Sequence, residues 1–148
     1  MSYQESRVIA YLISALLGAG LYTFYIFQQI QQEGFDSTII SSFWGTTVLI
    51  VLGVQIVLSI IASILVTIIQ AIVMQEEEPD LADERDRLIE LKADRFSFIV
   101  FGIGFVVAMI TLAMDLSPLI MFNLIVYSLF GAGITGYVTQ LCLYRRGV

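Results

Sequence analysis

The chain has 148 residues, of which 58% are hydrophobic, with a mean hydropathy of +0.89 and a net charge of −6. This composition is far more apolar than that of a soluble domain of equal length, and it predicts a single membrane domain over residues 1–148. Histidine is absent and Cys142 is the single cysteine, which excludes an intrachain disulfide, thiolate metal clusters and histidine-based catalysis. We therefore expect no enzymatic activity, no cofactor and no metal ion.

The basic residues lie in three short stretches that are separated by long apolar segments. They are Arg7, then Arg85, Arg87, Lys92 and Arg95, and finally Arg145 and Arg146. Because Lys and Arg mark the cytoplasmic ends of spanning helices, this pattern predicts an all-α membrane protein with four transmembrane helices and both termini inside the cell. We place the spans at about 7–28, 46–74, 96–114 and 118–143.

Two aromatic clusters, in residues 22–27 and 43–44, flank a polar segment that contains no Lys or Arg. Aromatic side chains favour membrane interfaces, so we expect both clusters at the outer surface with an external loop between them. The second span that follows has 29 residues without a charge or proline. At 1.5 Å per residue it is about 43 Å long, which exceeds a hydrocarbon core of about 30 Å and predicts strong tilt or a cytoplasmic overhang.

Few polar residues lie at membrane depth. The candidates are Gln55, Ser59 and Ser63 in the second span and Asn123 in the fourth. Ser59 and Ser63 are four residues apart and share a helix face, which Gln55 extends. Such a stripe is typical of hydrogen bonding between helices, and the alternative is the lining of a substrate or water path.

The segment 75–95 holds nine of the thirteen acidic residues and four of the seven basic residues. This acidic balance disfavours binding to anionic lipid or to nucleic acid. No helix breaker separates residues 81–95 from the third span, so we expect one long helix whose first four turns form a cytoplasmic extension. Leu81, Leu88 and Leu91, with Ile89 beside them, form a narrow apolar stripe, and we expect it to pack on the overhang of the second span. The candidate interaction residues are Asp83, Glu84, Arg85, Arg87, Lys92 and Arg95.

A short connection joins the third and fourth spans. Ser117 is placed as an N-cap and Pro118 as the first residue of the fourth helix. With so few residues between them, these two spans must be antiparallel neighbours.

The stretch 131–136 has the letters of a dinucleotide-binding fingerprint, with glycines at Gly131, Gly133 and Gly136. That motif works only between a strand and a helix N-terminus, where free backbone amides meet a pyrophosphate, whereas here it lies inside a membrane span. We interpret the three glycines as positions where helices approach each other closely.

The stretch 83–93, which contains Asp83-Glu84-Arg85, then Ile89 and then Lys92-Ala93, resembles a motif of a widespread family of small prokaryotic membrane proteins. In that uncharacterised four-helix family the motif precedes the third span. The resemblance covers the motif, the hydropathy profile and the length. It implies a bacterial inner-membrane location, but no biochemical activity.

These observations favour a non-enzymatic membrane protein whose cytoplasmic charged helix binds a protein partner or a second copy of the chain, with membrane lipid around the spans. The alternative is a small oligomeric transporter or channel that uses the polar residues of the second and fourth spans. Small multidrug exporters of similar size depend on a glutamate within the first span, and Glu5 lies before it.

Overall fold

The computed structural model describes residues 3–32, 40–74 and 84–146. These residues form four helices and no strand: α1 (Tyr3–Gln32), α2 (Ile40–Met74), α3 (Glu84–Ala113) and α4 (Pro118–Arg146). By length and composition, all four are capable of crossing a membrane. The prediction of an all-α protein with four membrane-length helices is therefore confirmed.

The helices extend beyond the apolar segments from which the spans were placed. In particular, α2 begins six residues before the predicted span, and α3 runs without interruption from Glu84 through the charged stretch into the apolar one. Residues 81–83, at the start of the predicted extension, lie outside the described residues. Acidic residues in the first turn of α3, and Arg145 and Arg146 in the last turn of α4, have the signs that the helix dipole favours at those ends.

The turn between α3 and α4 closes both helices with local hydrogen bonds. The Leu116 amide donates to the Thr111 carbonyl and the Asp115 amide to the Leu112 carbonyl, each at 3.1 Å. These bonds form a Schellman motif, which requires a left-handed residue, and Asp115 supplies it with a φ of 54°. On the other side of the turn, the Ser117 hydroxyl accepts from the Leu119 amide at 3.4 Å, as an N-cap does.

The four helices pack side by side in the order α3, α4, α1, α2. The most extensive contact is between antiparallel α3 and α4, while α1 packs against both α4 and α2. α2 also reaches α4 near Trp44, at the end of the molecule where the α3–α4 turn lies, which we call the turn end. Within the described residues, α3 contacts neither α1 nor α2. α4 is therefore the central helix.

The expected packing of the apolar stripe on the second span is wrong. In the described part of this stripe, Leu88 and Leu91 are exposed and only Ile89 is buried. The buried side of α3 consists of Ile89, Ala93 and Ala108, and it faces α4. Small side chains allow α4 to approach α3 closely, whereas the larger leucines are excluded from this contact.

Candidate functional site

Five charged residues in the first three turns of α3 are exposed, and they form a surface that also includes the exposed Leu88 and Leu91. We call this surface the charged face of α3: Glu84, Arg85, Arg87, Lys92 and Arg95. Asp83, which the sequence also marked as a candidate, lies outside the described residues. The face carries one carboxylate and four cationic groups, and Glu90 and Asp94 are exposed beside it. Such a surface can form salt bridges with acidic groups through its four cations and with a basic group through its carboxylate.

The charged face is positioned by the packing of α3 on α4. Ile89 and Ala93 are buried with 2% and 0% of their surfaces exposed, so this side of α3 is fully covered. The Tyr144 hydroxyl near the end of α4 donates a hydrogen bond to the Asp86 carboxylate. Because α4 continues to Arg146, it supports α3 down to its first described turn. The charges therefore project from a supported helix.

The intramembrane candidate Asn123 is part of a link between α1 and α4. Its Oδ1 atom accepts a hydrogen bond from the Tyr22 hydroxyl at 2.9 Å, and its Nδ2 group donates to the Leu119 carbonyl at 2.9 Å. One helical turn away, the Tyr127 hydroxyl donates to the Thr23 hydroxyl at 3.1 Å. Asn123 is thus engaged in holding two helices together.

The polar residues of α2 form fewer hydrogen bonds with other helices than their spacing suggested. The Ser59 hydroxyl donates to the Gln55 carbonyl of its own helix at 2.9 Å, while Ser63 hydrogen bonds with the Tyr11 side chain of α1. Gln55 packs against Gly18 of α1, and its buried Oε1 atom has no hydrogen-bond partner among the described residues. Gln55 therefore contacts α1 by van der Waals packing, whereas Ser63 supplies the polar contact between α1 and α2.

The structure reveals an aromatic junction that the sequence did not predict. Tyr22 and Trp44 are the largest fully buried side chains, with 2% and 1% of their surfaces exposed. The Trp44 ring stacks on Phe122 of α4 at a centroid distance of 5.9 Å, and Tyr22 lies 6.1 Å from Phe130. The sequence indicated aromatic residues at a membrane interface, but two of them point into the protein. Only their contacts with other helices distinguish these two buried side chains from exposed neighbours such as Phe24.

The three glycines of the stretch 131–136 have different surroundings. A Cβ atom added to Gly136 would overlap the Ser97 hydroxyl of α3, and one on Gly131 would lie 4.0 Å from Val100 Cγ1. A Cβ atom on Gly133 would meet no atom within 4 Å. Successive glycines point in different directions along a helix, so Gly136 permits a close helix contact, whereas Gly133 leaves open space.

Among the described residues, no group of three acidic or cysteine side chains is placed to hold a metal ion. Comparison of the chain with protein-family models, with curated proteins and with solved structures finds no match. The class of protein therefore follows from the fold alone: four apolar helices with the features of a multi-pass membrane protein.

Proposed function

We propose that this protein is a non-enzymatic integral membrane protein that binds a protein partner, or a second copy of itself, through the charged face of α3. The observation that carries the proposal is the exposure of this face on a helix whose opposite side is fully packed on α4. A charged surface that is already ordered loses less conformational entropy on binding than a free segment does. A mainly cationic surface also selects a partner that presents acidic groups in the complementary arrangement.

The proposed location of the charged face is the cytoplasm of a bacterial cell, at the inner membrane. The described basic residues lie near the start of α1, near the start of α3 and at the end of α4. Because α4 is antiparallel to α1 and to α3, all of them lie at the end of the molecule opposite the α3–α4 turn. A cluster of Lys and Arg at one end of a helix group favours the cytoplasmic side. The resemblance of the stretch 83–93 to small prokaryotic membrane proteins supports the same location.

Charge reversal tests the proposed interaction. The variant Arg85→Glu/Arg87→Glu should lose crosslinking and co-purification of the partner or second copy, because two attractive contacts become repulsive. The matched control Arg85→Lys/Arg87→Lys keeps the charge at both positions and should retain assembly. Equal recovery of the partner with both variants would contradict the proposal, provided that both insert with the same topology.

A small oligomeric transporter or channel is the second candidate, favoured by one observation. Gln55, Ser59 and Ser63 line an open groove of about 400 Å³ together with Tyr11. Since the groove opens at the surface of α1 and α2 and is not enclosed by the described helices, a path would form between chains. Substitution of Gln55 and Ser59, which line the groove, by leucine should then change solute flux into liposomes. Identical flux for all variants would argue against transport.

A further inference from the structure

A second groove, with a volume of about 490 Å³, lies between α3 and α4. Small residues of α4, including Gly133 and Gly136, line one side, and the aromatic rings of Phe98 and Phe101 line the other. Phe98 is 76% exposed, so its ring is available to a ligand. Because a Cβ atom on Gly133 would meet nothing within 4 Å, this position leaves the groove open.

The polar end of the groove carries a negative charge. It is lined by Asp94, Tyr137 and Gln140, and Tyr137 interacts electrostatically with Asp94. Among the described residues that line the groove, Asp94 is the only charged one. Arg95, the next residue of α3, is exposed but does not line it. The groove thus combines one carboxylate with an apolar and aromatic wall.

We propose that the groove between α3 and α4 binds a lipophilic cation, a small organic molecule with one positive charge on an apolar body. The Asp94 carboxylate pairs with the charge, and the rings of Phe98, Phe101 and Tyr137 contact the apolar body and attract the cation through their faces. An anion of the same shape would meet only the negative charge of Asp94. This ligand site adjoins the charged face of α3 but is distinct from it, because none of the five residues of that face lines the groove.

Binding of tetraphenylphosphonium to the protein in phosphatidylcholine nanodiscs tests this proposal by equilibrium dialysis. We expect saturable binding that Asp94→Asn weakens by about tenfold or more, as expected for loss of a charged contact. Asp115→Asn removes an acid at the turn end and should leave binding unchanged. Asp94→Glu keeps the charge and should retain binding, and thermal unfolding of Asp94→Asn should match that of the unchanged protein, which separates a loss of binding from misfolding.

A second pair of variants tests the position of the ligand. Gly133→Leu places a side chain in the open groove and should block binding, whereas Gly102→Leu occupies open space elsewhere and should not. Tetraphenylborate, which has the same shape and the opposite charge, should show no saturable binding when it is measured alone, without the cation with which it precipitates. The proposal is overturned if Asp94→Asn or Gly133→Leu binds the cation as the unchanged protein does, or if tetraphenylborate binds saturably with equal affinity. It is also overturned if phosphatidylethanolamine discs abolish binding, because the occupant would then be an aminolipid.

Discussion

Tyr22 and Asn123 show how a single polar pair joins two helices inside an apolar protein. The hydrogen bond between them connects α1 to α4, and the buried Tyr22 ring also meets Tyr127 edge to face at 5.4 Å. In a membrane, apolar contact alone does not distinguish one helix neighbour from another, because lipid chains satisfy the same surfaces. A hydrogen bond between buried groups therefore contributes directly to the choice of neighbour.

Removal of the Tyr22 hydroxyl should destabilise the protein. In Tyr22→Phe the Asn123 Oδ1 atom loses its interhelical donor, and the free energy of unfolding should fall by about 1 kcal/mol, the scale measured for hydrogen bonds between membrane helices. The measurement is unfolding in detergent of Tyr22→Phe, Asn123→Leu and the double variant, and the two single losses should not add. Tyr25→Phe, which removes the same group from an exposed ring, should change little. Additive losses would show that the two side chains are not coupled.

The sequence located these residues but not their roles. Asn123 was predicted as a polar residue at membrane depth, and its partner was not. Tyr22 belongs to an aromatic segment that composition assigns to a membrane interface, and the neighbouring rings of Phe24 and Phe27 are indeed exposed. Residue type is the same for buried and exposed aromatic side chains, so only the direction of each side chain decides which one meets α4.

Helix contacts in this molecule depend on small residues that face the neighbouring helix. A Cβ atom on Gly104 of α3 would overlap the Ser128 side chain and lie 3.5 Å from its Cα atom. Gly102, two residues earlier, faces open space. Ala93 and Ala108 are fully buried on the same side of α3 as Gly104. The contact between α3 and α4 is therefore close along its length because bulky side chains are absent from it.

Substitution of Gly104 and of Gly102 by leucine should distinguish the effect of packing on the free energy of unfolding from the effect of helix propensity. Gly104→Leu forces α3 away from Ser128 and should lower the free energy of unfolding by about 1–3 kcal/mol, the usual cost of overpacking. Gly102→Leu has the same change in helix propensity but meets no atom, so it should be neutral or slightly stabilising. Thermal unfolding in detergent measures both variants. Equal effects of the two substitutions would mean that α3 and α4 do not pack in this register.

The same geometry explains why the apolar stripe before the third span was assigned to the wrong neighbour. Leu88 and Leu91 are the larger apolar residues, and their spacing predicts a packed face. In the structure α4 instead covers Ile89 and Ala93, since α4 is joined to α3 by a short turn and is held antiparallel to it. The choice between two apolar faces of one helix depends on the partner, which the sequence of that helix does not contain.

At the scale of the whole molecule, the distribution of charge predicts the orientation in the membrane. The α3–α4 turn carries Asp115 and no basic residue, while Arg145 and Arg146 end α4 at the opposite side. Lys and Arg oppose translocation more effectively than Asp and Glu do. The acidic balance of the segment 75–95 therefore does not reverse the orientation that its four basic residues predict.

Cysteine labelling should reveal this orientation. In the variant Cys142→Ser/Arg146→Cys, the single thiol lies beyond the predicted fourth span at the exposed end of α4, so a membrane-impermeant maleimide should reach it only after the membrane is opened. In the variant Cys142→Ser/Ser117→Cys, the single thiol lies in the exposed turn and should react in intact cells. The opposite pattern would place both termini outside and would contradict a cytoplasmic charged face.

The sequence by itself determined the four helices and the positions of the charges, because a bilayer imposes a minimum apolar length on each span and basic residues are excluded from its interior. It also determined that α3 and α4 are neighbours, through the capped turn at Ser117 and Pro118. Only the tertiary structure decided that α4 is central, that α3 contacts neither α1 nor α2 among the described residues, and that a groove opens at Gly133. The physical reason is that lipid is as apolar as the helix surfaces, so shape and a few polar contacts select the partners.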